Sequence, residues 1–372
     1  MSDKKALYIH IPFCKKKCIY CDFNSCDDKG SLIEKYIECL KVEMKSFRGS
    51  LIDTIYFGGG TPSVLNEKFI EKIFRNIKKI FEFSEDLEAT FEINPDTISQ
   101  FKLEVLKEFG VTRISMGCQS TDNSILLEMG RTYDYECFLN AHNLIKQHDF
   151  NNINFDLIMG WPTQTTNDYK SSLQKLIKLA PKHISVYGLT VADGTILAKK
   201  ILSKEFENIS DDKQADLFEY TIDFLEQNGF SHYEISNFAK PGFESRHNQY
   251  YWLGKEYIGL GAGASSYIDG KRYQNTPDIE EYCKCESIPR EIDNVDAKSK
   301  LAETIFLSLR LLKKGINRSE FLNNFGCDIF EIFNDKIKFL IDNNLLKFVN
   351  EEQLVLTRQG VLKSNLVFQE FF

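Results

Sequence analysis

The sequence predicts an α/β fold: an incomplete (β/α)6 barrel of the TIM type, followed by a small C-terminal α+β domain that is winged-helix-like. Three observations support this prediction. Short apolar segments alternate with longer amphipathic segments from residue 6 to about 190, polar and glycine residues collect just after the apolar segments, and the pattern changes after residue 240. Strand and helix in regular alternation indicate parallel β/α architecture.

The apolar segments are nearly continuous runs, as expected for strands that are buried on both faces. The predicted strands are ALYIHI (6–11), DTIYF (53–57), LEATFEI (87–93), TRISMGCQ (112–119), INFDLIMG (153–160) and HISVYGL (183–189). Helical periodicity predicts helices over 31–47, 66–81, 98–109, 134–148 and 167–179.

A complete barrel of this type has eight strand-helix units, and this chain shows six clear ones. We therefore expect a barrel that is open on one side. A doubly wound sheet is the main alternative, because alternation alone does not separate the two folds. In a β/α barrel the active site lies at the C-terminal ends of the strands. There the sequence places GGGTP (58–62), Glu92, Gln119, Asp156 and Thr190.

The second half of the chain predicts two further regions after a barrel domain at 1–240. Residues 241–290 form a connecting segment that is rich in aromatic residues and glycine, and they read as loop, short helix and tight packing. Residues 291–372 predict the winged-helix-like domain: helical pattern from about 295 to 343, then a hairpin in LLKFVNEEQLVLTRQG (345–360).

Composition limits the class of protein. The chain has 372 residues, 42% of them hydrophobic, and a formal net charge of −8, which is ordinary for a globular protein and argues against a nucleic-acid partner. The N-terminus does not resemble a secretory signal, and no apolar run is long enough to span a membrane, so we expect a cytoplasmic protein. In that reducing compartment a cluster among the ten cysteines indicates metal binding or catalysis.

Three cysteines are spaced Cys14-x3-Cys18-x2-Cys21 near the start of the chain. Thiolates this close together on one loop can bind a single iron-sulfur cluster, and three ligands leave one cubane iron open to another ligand. A structural zinc site needs four ligands, and Cys26 or His10 could supply the fourth. Spacing alone leaves both alternatives open.

CKKKCIYC (14–21) resembles the signature of radical S-adenosyl-L-methionine (SAM) proteins, and YFGGGTP (56–62) resembles their glycine-rich loop. The resemblance implies a 4Fe-4S cluster whose open iron is chelated by SAM, which the cluster cleaves reductively to methionine and a 5′-deoxyadenosyl radical. It implies Cys14, Cys18 and Cys21 as cluster ligands. The SAM-binding residues implied are Tyr8, Tyr20, Gly59, Gly60, Thr61, Glu92, Gln119, Arg131 and Asp156.

These residue types suit SAM chemically. Gly59 and Gly60 let the backbone approach the methionyl end of a ligand, Arg131 can pair with a carboxylate in a forked geometry, and a carboxyl side chain suits ribose hydroxyls or an ammonium group.

Several blocks in order, among them YIHIPFC, FEINPD, RISMGCQS and NFDLIMGWP, resemble the oxygen-independent coproporphyrinogen III oxidase family over nearly the whole chain. The oxidases of this family carry a further cysteine two residues after the third ligand, where this chain has Phe23. HNQYYW (247–252) matches the HNxxYW motif of the family's heme chaperone branch.

The motif implies heme binding by His247, Asn248, Tyr251 and Trp252. An imidazole can ligate heme iron, and flat aromatic rings can cover a porphyrin face. The alternative is that the aromatic residues pack in the core and that His247 hydrogen-bonds to a neighbour. If the segment is helical, His247 and Tyr251 lie on one side of it.

The resemblance thus favours a chaperone that receives heme and passes it to an acceptor hemoprotein, plausibly of a respiratory chain. It leaves room for a homodimer and for peripheral association with membrane-bound partners. The rival is a radical SAM oxidase that decarboxylates coproporphyrinogen III to protoporphyrinogen IX. No residue proves a radical reaction, so the sequence leaves open whether the chain is an enzyme.

Overall fold

The computed structural model describes residues 4–284, 290–293 and 295–372; Cys285 lies outside this part. The strands are β1 (Lys5–Ile11), β2 (Leu51–Gly59), β3 (Glu82–Ile93), β4 (Arg113–Gln119), β5 (Ile153–Met159), β6 (His183–Gly188), β7 (Ser231–Glu234), β8 (Asn237–Ala239), β9 (Tyr257–Leu260), β10 (Ser265–Ile268), β11 (Lys271–Asn275), β12 (Arg290–Asp293), β13 (Ile316–Asn317), β14 (Leu346–Asn350) and β15 (Gln353–Leu356).

The α-helices are α1 (Ile33–Met44), α2 (Glu67–Ile80), α3 (Gln100–Glu108), α4 (Asn123–Glu128), α5 (Tyr135–Gln147), α6 (Thr166–Lys178), α7 (Ile196–Leu202), α8 (Asp211–Gln227), α9 (Arg246–Trp252), α10 (Ile279–Tyr282), α11 (Ala297–Arg310), α12 (Arg318–Phe325), α13 (Ile329–Asp342), α14 (Arg358–Leu362) and α15 (Ser364–Gln369). Short 3-10 turns lie at Gly30–Leu32, Lys45–Phe47 and Pro62–Val64. In the described part of the chain, no helix is both long enough and apolar enough to cross a bilayer.

By their internal contacts the described residues form two compact units. The larger comprises the residues up to Thr221 together with Glu256–Asp293, and the smaller comprises Ile222–Lys255 and the residues after 294. This division differs from the predicted boundaries at 240 and 290. Strand pairing explains why residues 256–293 belong to the larger unit, because β9 pairs with β1 and so joins the N-terminal strands.

The larger unit is built on one open sheet in the order β12-β11-β10-β9-β1-β2-β3-β4-β5-β6. Strands β1 to β6 are parallel and follow one another in chain order. A doubly wound sheet reverses its strand order at a switch point, whereas a barrel adds each strand to the same side of the previous one. The incomplete barrel is therefore confirmed, with all six predicted strands present.

Residues 256–275 hold strands that the sequence analysis did not predict. Strand β9 pairs in parallel with β1, with Tyr8 opposite Gly259, and β10, β11 and β12 continue as an antiparallel meander. A Cβ atom at position 259 would lie 2.0 Å from the carbonyl oxygen of Ser265, so only glycine fits there. Strands of four or five residues carry too little periodicity to be recognised from sequence.

Helices of the larger unit begin where the sequence supplies capping side chains. The side chain of Asn66 accepts a hydrogen bond from the N–H of Phe69 at the start of α2, and Asp134 does the same for Cys137 at the start of α5. These caps agree with the predicted helix starts to within one or two residues.

The smaller unit contains the hairpin of β7 and β8, helix α9 and the C-terminal elements. From α11 onward its order is helix, strand, helix, helix, strand, strand, and its small sheet has the order β13-β15-β14. The hairpin of β14 and β15 lies within the predicted span 345–360. This arrangement is that of a winged helix, as the sequence predicts.

Candidate functional site

A cavity of about 380 Å³ opens at the C-terminal ends of β2 to β6. Of the residues predicted to bind the cluster or SAM, all except Tyr8 line it. Its wall includes Cys14, Cys18, Tyr20, Cys21, Phe23, Ser25, Tyr56, Gly59, Gly60, Thr61, Glu92, Asn94, Ser115, Gly117, Gln119, Arg131, Asp156 and Tyr187. The cavity is large enough for a small ligand.

The cysteine loop, residues 12–29, is irregular and is held by its own backbone. The N–H of Cys14 donates to the carbonyl of Cys26 at 2.8 Å, and the N–H of Cys26 donates to the carbonyl of Pro12 at 2.8 Å. Nζ of Lys17 donates to the carbonyls of Phe23 and Ser25, each at 3.0 Å. The loop is therefore closed without using any of the cavity-lining thiols.

Two of the three cavity-lining thiols have hydroxyl groups as neighbours. The hydroxyl of Thr61 donates to Sγ of Cys14 at 3.7 Å, and Sγ of Cys21 lies 3.8 Å from the hydroxyl of Ser25. Burial raises the pKa of the Cys14 and Cys18 thiols, and at Cys18 the guanidinium of Arg131 opposes this shift. Cluster binding would therefore have to deprotonate them.

One of the two alternative fourth ligands for zinc, His10, is engaged elsewhere. Nε2 of His10 lies 2.8 Å from the carbonyl of Asn24 and Nδ1 lies 3.0 Å from the hydroxyl of Tyr8, so both ring nitrogens are hydrogen-bonded. Among the described residues no three His, Cys, Asp or Glu side chains are gathered closely enough to hold one metal ion. A cubane spreads its cysteine ligands over different irons, so it does not need thiols that converge on a single point.

The glycine-rich loop passes close to the cysteine loop. A Cβ atom at Gly60 would lie 2.8 Å from the backbone of Pro12 and Phe13, and one at Gly59 would lie 2.7 Å from the ring of His10. Gly59 also has φ of +111°, a conformation that favours glycine. Glycine at position 60 therefore lets the two loops touch, and glycine at position 59 leaves room for the ring of His10 in β1.

Arg131 joins three segments of that wall. One of its Nη atoms donates to the hydroxyl of Tyr20, and the other donates to Oδ1 of Asn94 at 3.4 Å. Its guanidinium also lies 5.6 Å from the ring centroid of Tyr20. Its Nε is buried and, among the described residues, has no hydrogen-bond partner. A cation held in this way with a spare donor can bind an anionic ligand group.

Two carboxyl groups face the same cavity. The hydroxyl of Tyr56 donates to Oε1 of Glu92 at 2.6 Å, and desolvation raises the pKa of Glu92 to about 7. Oδ1 of Asp156 accepts from Asn154 at 2.8 Å, and burial raises the pKa of Asp156 too. Each carboxyl group keeps acceptor capacity for a ligand hydroxyl or ammonium.

Gln119 ends β4 in the left-handed region, with φ of +66°. This conformation is uncommon for a residue other than glycine and often marks a functional position. A Cβ at Gly117, two residues earlier, would lie 3.0 Å from Nε2 of Gln119. The missing side chain at 117 therefore makes room for the amide of Gln119 in the cavity.

Helix α9 carries the HNQYYW segment in the smaller unit. His247 is buried, and its Nε2 and the hydroxyl of Tyr251 are hydrogen-bonded at 2.9 Å. The two side chains therefore share one side of a helix, as expected if the segment is helical. Tyr251 and Trp252 are partly exposed. In this conformation the imidazole would have to part from Tyr251 before it could ligate iron through Nε2.

Known proteins resemble the whole chain. Residues 8–176 match the family model "Radical SAM superfamily", and residues 295–362 match "HemN C-terminal domain". The heme chaperone HemW of Lactococcus lactis is 37% identical over 100% of this chain and 98% of its own length. HemW of Bacillus subtilis is 34% identical over 99% of both chains. The chain belongs to the HemW family of heme chaperones.

The fold of this HemW family member also matches a solved structure. Coproporphyrinogen III oxidase (HemN) of Escherichia coli superimposes with a TM-score of 0.86 over 99% of this chain and 90% of its own. The sequence identity is 23%, so the likeness shows the shared fold alone.

The residues that line the cavity fit the cofactors that the radical SAM family implies. The wall offers three thiols, a spare donor of Arg131 and two carboxyl groups. Tyr8 does not line the cavity, but its ring lies 6.3 Å from that of Tyr56, which does. Assignment of these residues to the cluster and to SAM stays a prediction.

The sequence analysis missed Tyr56, Ser115 and Tyr187, which line the cavity from within strands. Along a strand every second residue points to the same face, so alternation places Ser115 on the face of Gly117, which also lines the cavity. Alternation does not show that a face borders a cavity, so Tyr56 and Tyr187 look like core residues in the sequence.

Proposed function

We propose that this protein is a cytoplasmic heme chaperone that binds heme and transfers it to an acceptor hemoprotein, on a scaffold that holds a 4Fe-4S cluster and SAM. The observation that carries the proposal is the similarity to HemW chaperones, which extends over the whole chain. The HNxxYW match, with its two partly exposed aromatic side chains, supports it.

Within the cavity, Cys14, Cys18 and Cys21 would hold the cluster, which supplies an electron to SAM when both are bound. Arg131 would receive the carboxylate of SAM through its fork, and Glu92 and Asp156 would accept hydrogen bonds from its hydroxyls or its ammonium. Gly59 and Gly60 would present backbone groups to the ligand.

Helix α9 would contribute to heme binding through His247, Asn248, Tyr251 and Trp252. The proposed acceptor is a hemoprotein, for example one of a respiratory chain. Peripheral contact with a membrane-bound partner would bring the chaperone to such an acceptor. A homodimer is part of the same proposal.

A titration tests the binding step. The anaerobically reconstituted protein and a His247→Ala, Trp252→Ala variant are titrated with heme while the Soret band is followed, and iron and sulfide are counted in both. Saturable binding near one heme per chain, weakened in the variant while the cluster stays intact, is expected. No specific binding by the intact wild type would contradict the proposal.

A second assay addresses transfer and the rival activity. Heme-loaded protein incubated with membranes from heme-deficient cells should restore the reduced-minus-oxidised spectrum of the respiratory cytochromes faster than the same amount of free heme. Formation of protoporphyrinogen from coproporphyrinogen, with SAM and a reductant, would instead indicate the oxidase.

A further inference from the structure

Arg310 and Trp252 meet in the smaller unit and form a stacked pair. Arg310 is the last residue of α11, and Trp252 is the last residue of α9. The guanidinium carbon of Arg310 lies 4.2 Å from the centroid of the Trp252 ring, within the range of a cation–π contact. Stacking of this kind fixes the plane of the guanidinium and leaves its edges available.

In the described part of the chain, each member of the pair has an N–H group without a hydrogen-bond acceptor. Nε of Arg310 and Nε1 of Trp252 are buried and, in the part of the chain that the structure describes, neither has a hydrogen-bond partner. Buried donors are almost always paired, so two unpaired donors on stacked groups need an explanation. A bound acceptor would supply one.

The carboxylate of Glu234, which acts on the charge of Arg310, does not supply that acceptor. Glu234 attracts Arg310 electrostatically. However, Glu234 is fully buried, and its oxygens accept hydrogen bonds from the side chain of Asn237 and the N–H of Ser236. The guanidinium is therefore oriented by the Trp252 ring and partly charge-balanced by Glu234, while its Nε has no hydrogen-bond partner among the described residues.

The pair adjoins the segment proposed to bind heme. Tyr251, whose hydroxyl is hydrogen-bonded to His247, also lies edge-on to Trp252, with ring centroids 6.5 Å apart. One contiguous group thus contains an imidazole, two aromatic rings and a cation. Heme has the matching chemistry: a metal, a flat apolar macrocycle and two carboxylate side chains.

We propose that Arg310, stacked on Trp252, binds a propionate carboxylate of heme, with the indole N–H of Trp252 as an additional donor. This inference rests on the proposed function and adds the residue that recognises the anionic edge of the ligand. An arginine that is fixed in its plane suits a carboxylate because its fork can donate two parallel hydrogen bonds. Arg310 lies outside HNxxYW, so the motif does not reveal it.

The test compares hemin with hemin dimethyl ester, whose propionates are esterified and cannot accept as carboxylates. Each is delivered from the same solvent fraction to anaerobically reconstituted protein, and binding is read from the Soret band. Wild type should bind hemin roughly tenfold or more tightly than the ester. Arg310→Gln should weaken hemin binding roughly 10- to 100-fold and leave ester binding unchanged.

Two further variants refine the test. Arg310→Lys keeps the charge without the fork and should fall between wild type and Arg310→Gln, and it serves in place of Arg310→Gln if that variant does not fold. Trp252→Phe keeps an aromatic surface without the indole N–H and should weaken hemin more than the ester. Arg318→Gln, which removes an arginine paired with Asp328 in the same unit, is the control and should change neither affinity.

The outcomes separate this inference from the proposed function. If wild type binds hemin and the ester equally, or if Arg310→Gln weakens both equally, the carboxylate site is wrong while heme binding stands. If wild type binds neither compound, the proposed function fails and the carboxylate site fails with it.

Discussion

The hydroxyl of Tyr56 donates a 2.6 Å hydrogen bond to Oε1 of Glu92 inside the cavity. The two residues come from the neighbouring strands β2 and β3. Desolvation raises the pKa of Glu92 from 4.5 to about 7, and the hydrogen bond from Tyr56 opposes the rise. The charge of the cavity therefore changes near neutral pH.

Replacement of Glu92 by Gln should change how stability depends on pH. Because the folded-state pKa is raised from 4.5 to about 7, the folded chain binds more protons than the unfolded chain between these values. Glu92 thus lowers stability progressively as the pH rises through this window. Relative to wild type, Glu92→Gln should gain on the order of 1–2 kcal/mol between pH 5 and pH 8 in urea unfolding.

Glu104→Gln, which removes an exposed carboxylate from α3, is the matched control and should follow the wild-type profile. Parallel profiles for wild type and Glu92→Gln would show that the Glu92 carboxyl titrates alike in the folded and unfolded chains, contrary to this prediction.

Replacement of Gly60 by Ala should prevent cluster assembly. The added Cβ would lie 2.8 Å from the backbone of Pro12 and Phe13, where no flexible side chain can move aside, so the cysteine loop must shift. Iron and sulfide counted after anaerobic reconstitution should fall by more than half. Gly30→Ala, where a Cβ meets nothing within 4 Å, should reconstitute like wild type. Equal iron contents in both variants would refute the prediction.

The cysteines should separate into ligands and non-ligands. Cys18→Ser should lose the cluster, because Cys18 lines the cavity. Cys26→Ser should keep it, because the backbone of Cys26 closes the loop through its N–H and carbonyl, and serine retains both. Measurement of iron, sulfide and zinc in both variants shows which cysteine is a ligand. Stoichiometric zinc that is lost in Cys26→Ser would favour the zinc alternative instead.

Replacement of Arg131 by Lys should weaken SAM binding without loss of the cluster. Lysine keeps the positive charge, but its three N–H donors leave a single nitrogen and cannot replace a planar guanidinium that reaches Tyr20 and Asn94 through separate nitrogens and leaves Nε for a ligand. Equilibrium dialysis of SAM should show a loss of roughly 10- to 100-fold. Arg75→Lys, which changes an exposed arginine paired with Glu71 within one helix, should bind SAM normally. Unchanged affinity in Arg131→Lys would remove Arg131 from the proposed SAM site.

Much of the fold was predictable because it depends on local patterns. Buried strands such as INFDLIMG are mostly apolar, and helices such as α2 show both a 3.6-residue period and a capping side chain. The strands after residue 256 were not predictable, because β9 is defined by its pairing with β1, about 250 residues earlier in the chain.

The candidate site, like the fold, was predictable only where local patterns define it. Cys14, Cys18 and Cys21 were predicted as cluster ligands, and Gly59 and Gly60 as SAM-binding residues, because CKKKCIYC and YFGGGTP resemble radical SAM motifs. Tyr56 was not identified, because a tyrosine in an apolar strand looks like a core residue until its neighbour across the sheet is known. Arg310 was missed for the same reason, since its contact with Trp252, 58 positions earlier, is visible only in the folded chain.

By itself, the sequence determined strands β1 to β6, the three-cysteine motif near the start of the chain and the family, since each rests on residue types at short, fixed separations. Tertiary structure alone decided that β9 pairs with β1, that Tyr56 bonds to Glu92, and that Arg310 stacks on Trp252. Such contacts join residues that are distant in the chain. They form only when burial of the intervening apolar segments brings their elements together, and no local pattern encodes that step.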